Sequence, residues 1–166
     1  MTDKPRKAPP AGIAAAAILG AAALAAPLVA THEGTITKGY RDPIGIPTAC
    51  TGHTGGIEVG KDYSDQCGAF LVMDLAKHGS QIDPCISRPI PLKTRAAFTS
   101  FAFNVGTGAF CKSTIARKAN LGDLAGACAE LSKWVYAGGK PLPGLVNRRK
   151  AERALCEEGI REGVAP

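Results

Sequence analysis

An α+β fold, mainly α, with a small β-hairpin lobe set beside a helical lobe, is predicted by three observations. Residues 11–30 are uncharged and rich in Ala, the strongest helix former. Residues 33–48 have no helical period and contain Thr35-Ile36-Thr37, Gly39-Tyr40, Gly45 and Pro47, which reads as a hairpin with irregular corners. From Lys93 onward, apolar residues return at helical spacing. At 166 residues the chain is one domain by size, long enough to bury a core.

Taken in order, residues 1–10 form a basic tail carrying Lys4, Arg6 and Lys7 against Asp3, expected to be disordered and cytoplasmic. Residues 11–30 have the length needed to cross a bilayer. Their six strongly apolar residues contribute only about −2 to −4 kcal/mol, and Gly12, Gly20 and Pro27 erode that sum. Such a helix inserts without being held firmly. Ala23-Leu24-Ala25 also offers a signal-peptidase-like site, so a cleaved signal peptide is the alternative.

Gly52-His53-Thr54-Gly55-Gly56 predicts a turn. Asp62, Ser64 and Asp65 then offer caps for a helix over 64–82, with Phe70, Leu71, Leu75 and Ile82 on its apolar stripe. The Pro-rich segment 84–91 is expected to link the two lobes. A helix from Lys93 buries Ala96, Ala97, Phe98, Phe101, Ala102 and Val105 and stops at Gly106-Thr107-Gly108. Two more helices follow over 113–120 and 122–135, the second with Asp123 at its start and Leu124, Cys128, Leu131 and Trp134 inward. Pro141, Pro143 and Gly144 break the chain before Asn147-Arg148-Arg149-Lys150, which is expected to be mostly a solvated face, with Glu152 as a possible partner. The tail after Cys156 is expected to fray, and His32 and His78 to be exposed.

Without the first 30 residues the body holds 17 basic and 13 acidic residues, a modest positive balance suited to an anionic polymer or lipid surface. Aromatics at 5% with no basic–aromatic pattern argue against nucleic acid. Six cysteines, Cys50, Cys67, Cys85, Cys111, Cys128 and Cys156, behind an export-like N-terminus read as three disulfides. Sequential pairing closes short or medium loops and is the favoured one of fifteen arrangements. The rival is a zinc site from Cys50, His53 and Cys67, but no second ligand pair completes it.

The segment opening at Glu33 carries the chemistry. A Glu, eight residues, Asp42, five residues and Thr48 bring two carboxyl groups and a hydroxyl within one hairpin. Glycosidic cleavage needs one acid to protonate the leaving oxygen and a second carboxylate to stabilise positive charge or activate water. Singly, a helix-end charge and a turn-forming Asp account for these residues equally well.

This triplet is followed by Gly52-His53, then by Phe98 to Phe110, Trp134 to Lys140 and Asn147 to Glu152. Together these blocks resemble the phage lysozymes of glycoside hydrolase family 24, over residues 30–158. The resemblance implies a lysozyme-like fold with an active-site cleft between the lobes. It also implies an endolysin, a muramidase hydrolysing the β-1,4 bond between N-acetylmuramic acid and N-acetylglucosamine in peptidoglycan. Glu33 would be the general acid, its pKa raised by a partly apolar cleft; Asp42 would stay ionised and Thr48 would hold the attacking water. An inverting geometry would separate the carboxyl groups by about 6.5–9.5 Å. His53 would pair with Asp74 structurally, and Asn104 would bind a sugar N-acetyl group.

Some endolysins of this type carry a signal-anchor-release segment, and residues 11–30 resemble that device. The layout is then a tail at 1–10, the anchor at 11–30 and a lysozyme-like domain at 31–166. A monomer is expected, tethered and inactive at the host inner membrane, then released to the periplasm when a phage holin collapses the membrane potential. No cysteine lies in residues 11–30, which leaves disulfide exchange with the anchor unavailable. No cofactor or metal is expected. Pro43 and Pro47 depart from the family pattern and remove two amide donors from the hairpin. A lytic transglycosylase using one Glu and a non-enzymatic wall- or membrane-binding module are the alternatives.

Overall fold

The computed structural model describes residues 11–163; the tail expected at 1–10 lies outside them. The Ala-rich stretch forms helix α1, Ala11–Glu33, which runs unbroken through Pro27 and ends on Glu33 itself. Its buried face, Ala21, Ala22, Ala25 and Val29, packs on Leu71, Leu75 and Ala96. Small side chains allow this close docking. Leu19 and Leu24 stay exposed on the other side.

Gly34, at φ 72°, turns the chain into β1 (Ile36–Arg41), which pairs antiparallel with β2 (Pro47–Cys50). Pro47 starts its strand, where a missing N–H is tolerated. The turn closes instead through Asp42 N–H to Ile46 O and Gly45 N–H to Asp42 O. The two prolines therefore cost the hairpin little. Gly39 lies against the 57–61 loop so closely that a Cβ there would sit 2.2 Å from the Glu58 carbonyl oxygen. Ala49, Cys50, Ile57 and Tyr63 form this lobe's own small core.

Helix α2 spans Cys67–Ile82, starting three residues later than expected. Asp62 caps no helix: its Oδ1 accepts from the Ser64 N–H at 3.1 Å, closing a local turn that the buried Tyr63 anchors. Leu71, Leu75 and Ile82 are buried as the stripe requires, while Phe70 is half-buried. A 3₁₀ turn, Asp83–Cys85, leads to α3 (Leu92–Val105), whose buried residues include Phe98 and Phe101. Gly106 ends it at φ 93°, and α4 (Thr107–Cys111) begins at once instead of a loop.

Helix α5 is Thr114–Asn120, capped by Ser113. Helix α6 is only Leu124–Glu130, with Asp123 Oδ1 accepting from the Gly126 N–H at 2.8 Å. The long helix expected to Val135 instead tightens into a 3₁₀ turn, Leu131–Lys133, and opens into the short pair β3 (Tyr136–Ala137) and β4 (Lys140–Pro141). Trp134 is consequently not inward: it is 37% exposed and meets Phe101 edge-on with ring centroids 5.1 Å apart.

Pro143 does not break the last helix but opens it, since a first-turn N–H has no partner to lose. Helix α7 runs Pro143–Glu162, so the segment after Cys156 is helical and held by Lys93, which pairs with Glu158 and Glu162. It crosses α3 at Gly159, where a Cβ would lie 2.6 Å from the Thr94 amide nitrogen. Disulfides join Cys50–Cys67, Cys85–Cys111 and Cys128–Cys156, the sequential pairing. Cys50 and Cys67 are bonded to each other, so neither is a thiolate for zinc.

Candidate active site

Glu33, Asp42 and Thr48 come from three consecutive local structures: a helix end, a turn and a strand. Glu33 closes α1 and is one-third exposed at its side chain, where it meets the guanidinium of Arg148. The surroundings are thus charged, not the partly apolar ones expected. Arg148 lies on α7, is 3% exposed, and donates Nη1–H to Glu33 Oε1.

Asp42 follows β1 directly. Its Oδ1 accepts the backbone N–H groups of Ile44 at 3.0 Å and Ile46 at 2.8 Å, so the carboxylate is also the keystone of its turn. Its Oδ2 has no hydrogen-bond donor among the described residues, and is free to act on a ligand. Thr48 is buried in β2 opposite Tyr40, and its hydroxyl donates to the Ile46 carbonyl at 2.9 Å. With its proton committed there, the Thr48 oxygen has lone pairs left to accept from a water molecule.

His53 Nδ1 lies 2.9 Å from Asp74 Oδ2, Nε2 lies 3.1 Å from the Gly55 carbonyl, and the ring stacks on Phe70 at 4.2 Å. The 51–56 turn is thereby fastened to α2. His78 and His32 are half-buried, not exposed. His78 Nδ1 is 2.9 Å from the Asp74 carbonyl oxygen. Burial, with the nearby positive charges of Arg148 and Arg149, lowers the His32 pKa.

Behind Glu33 the basic block expected to be mostly solvated is partly buried, with Glu152 as its partner. Arg149 is 1% exposed and Glu152 is fully buried. Glu152 Oε1 accepts from Ser100 Oγ at 2.7 Å, Arg148 Nε at 3.1 Å and Arg149 Nη2 at 3.3 Å. Arg149 Nη2 also donates to Asn104 Oδ1 at 2.8 Å, and its guanidinium lies 4.8 Å from the centre of the Phe101 ring. Arg149 Nε comes within 3.0 Å of Glu152 Oε2, yet off the N–H axis. Nε, Nη1 and that oxygen therefore lack a hydrogen-bond partner among the described residues. Burial pushes the Arg149 pKa down to about 10 and pushes that of Glu152 up, against the pull of both arginines and Ser100. Only Lys150 and Asn147 of the basic block are exposed. The signal that was present is the spacing of Glu152 three and four residues after two arginines, which stacks all three on one helix face.

Residues 30–152 match the phage lysozyme family. The chain is 48% identical over 126 residues to a SAR-endolysin of bacteriophage PS119, covering 75% of each chain. It is 47% identical to a SAR-endolysin of Enterobacteria phage P21, covering 75% of this chain and 76% of that one. Among solved structures, a P22 lysozyme mutant is 32% identical with a TM-score of 0.71, over 80% of this chain and 94% of that one. The muramidase domain of SpmX from Asticaccaulis excentricus is 26% identical with a TM-score of 0.70, over 80% of this chain and 93% of that one. The fold is lysozyme-like, and this chain belongs to the phage lysozyme family.

Proposed function

We propose that this chain is an endolysin whose muramidase chemistry is carried by Glu33, Asp42 and Thr48. The observation that carries the assignment is their arrangement: an acid ending a helix, then an acid and a hydroxyl on either side of one hairpin turn. Glu33 protonates the glycosidic oxygen. Asp42, held by two backbone donors, stabilises the oxocarbenium-like charge through its remaining oxygen, and Thr48 accepts a hydrogen bond from the attacking water. Asn104, exposed and already accepting from Arg149, offers its amide to a sugar substituent.

The substrate is peptidoglycan, and the positive body charge favours approach to that anionic wall. Residues 14–33 form the one helix, among those described, long and apolar enough to cross a membrane, with a mean hydropathy of 2.0. The same residues supply the Ala face docked on α2 and α3. One segment cannot occupy the bilayer and this seat together. Insertion therefore withholds Glu33 from its place beside Arg148, and release restores it, a two-state switch biased by the membrane. The tethered form resides in the host inner membrane and the released form in the periplasm, with a holin as the trigger.

The deciding experiment is a peptidoglycan digest by the oxidised, released protein beside Glu33→Gln and Asp42→Asn, read by mass spectrometry. Reducing-end N-acetylmuramic acid from wild type is expected, with a loss of about 10²–10⁴-fold in Glu33→Gln. Anhydro products from an Asp42-independent reaction would move the chain to the transglycosylases.

A further inference from the structure

We propose that Glu152 is a positioning residue that neutralises and orients Arg148 so that Glu33 keeps a proton to donate. The inference rests on the assignment of Glu33 as the general acid. The difficulty it resolves is visible in the geometry. A general acid needs its proton at the working pH, yet Glu33 contacts a guanidinium, which favours the ionised carboxylate. An unopposed cation in that position works against an acid that has to donate a proton.

Arg148 is not unopposed. Its Nε donates to Glu152 Oε1 at 3.1 Å while its Nη1 donates to Glu33, so one guanidinium is divided between two carboxyl groups. Its Nη2 is spent on the Ser100 carbonyl at 3.3 Å, which fixes the plane of the fork. Arg149 adds a second cation to the same carboxylate. Two arginines, both at least 96% buried at their side chains, face one fully buried carboxylate, and only Glu33 opens to solvent. Buried cations without a counterion are costly, and the two arginines favour ionised Glu152 against the burial that raises its pKa.

The cluster is charge-balanced with both carboxylates ionised, and carries one net positive charge when Glu33 is protonated. Removing the Glu152 charge would raise that residue of positive charge to two. The extra unit acts directly on Glu33 through Arg148. The groups facing this pair are Arg148 and Arg149 from α7, Ser100 and Asn104 from α3, and His32 beside Glu33 on α1. Among the described residues, Glu33 and Glu152 are the acids that take part.

The test is the pH dependence of kcat/KM for the full oxidised protein and for Glu152→Gln, with Ser100→Ala as a milder second variant. Hydrolysis requires protonated Glu33, so activity falls as pH rises through its pKa. Glu152→Gln should move that limb to lower pH by about one unit, because one added charge across a few ångströms of partly screened space has that size. Ser100→Ala, which removes a hydrogen bond favouring ionised Glu152, should move it the same way by less. The shift must persist in a His32→Asn background. The Glu33 carboxyl carbon, followed by NMR in wild type and Glu152→Gln, should titrate lower in the variant. An unchanged limb with an unchanged Glu33 titration would reduce Glu152 to a packing role. A limb moved to higher pH would overturn the proposal. If Glu33→Gln instead hydrolyses normally, the general-acid assignment fails, and the carboxyl titration still decides whether Glu152 acts on Glu33.

Discussion

The hairpin lobe and the α3–α7 contact both hold charged groups in place, by opposite means. In the hairpin, Asp42 is fixed by backbone donors two and four residues away and Thr48 by a carbonyl two residues away. At the α3–α7 crossing, Glu152 is fixed by Ser100, 52 residues distant, and Arg148 reaches Glu33 across 115 residues. Local turn chemistry needs little burial because its partners are adjacent in the chain. The second arrangement exists only after two helices pack, and it survives only because water is excluded from it. The first kind of site tolerates damage to the core, and the second does not.

Truncating the buried carboxylate is the strongest way to break that contrast. Glu152→Ala takes the buried carboxylate from both Arg148 and Arg149 and should cost about 3–5 kcal/mol in urea denaturation. Asp42→Ala, which releases two turn amides to solvent, should lose activity at a cost of only about 1 kcal/mol. Equal losses in the two variants would erase the distinction between the regions.

The disulfides sharpen it. Replacing Cys128 and Cys156, separated by 28 residues, with serine should cost about 3–4 kcal/mol by loop-closure entropy and loosen the α6–α7 contact. Replacing Cys50 and Cys67, separated by 17, should cost somewhat less and act on the hairpin lobe, seen as amide exchange confined to residues 49–67.

The smallest expected effect is electrostatic. Glu130 lies between Lys118 at 2.8 Å and Lys133 at 2.9 Å, and these hydrogen bonds hold its pKa below the usual 4.5. A depressed carboxylate stabilises the fold above its unfolded pKa and loses that contribution as pH falls through its folded value. Thermal midpoints should therefore drop below about pH 4.5, and drop less steeply in Glu130→Gln.

Much of this molecule was legible in its residues. Hairpin composition, apolar spacing in α2 and α3, the Ala-rich α1 and Asp123 at the start of α6 act over a few positions, and a local signal gives a local answer. The misreadings came where a local preference met a tertiary one. Pro143 looked like an interruption and became the first residue of a helix. Trp134 looked buried by periodicity, but the α-helix gives way to a 3₁₀ turn after Glu130, five residues before its expected end. Arg148 and Arg149 were the largest departure, since two arginines on a helix belong in water unless a buried acid waits for them.

By itself, the sequence determined the order of the candidate groups: an acid, a second acid, a hydroxyl, and a helix-forming apolar stretch before them. Spacing along a covalent chain limits what a turn can bring together, and so these were readable. Only the tertiary structure decided that α1 ends on Glu33 against Arg148, and that Glu152 stands behind both. The Glu33–Arg148 and Ser100–Glu152 contacts join residues more than fifty positions apart. Their strength comes from removing water, which no stretch of sequence does alone.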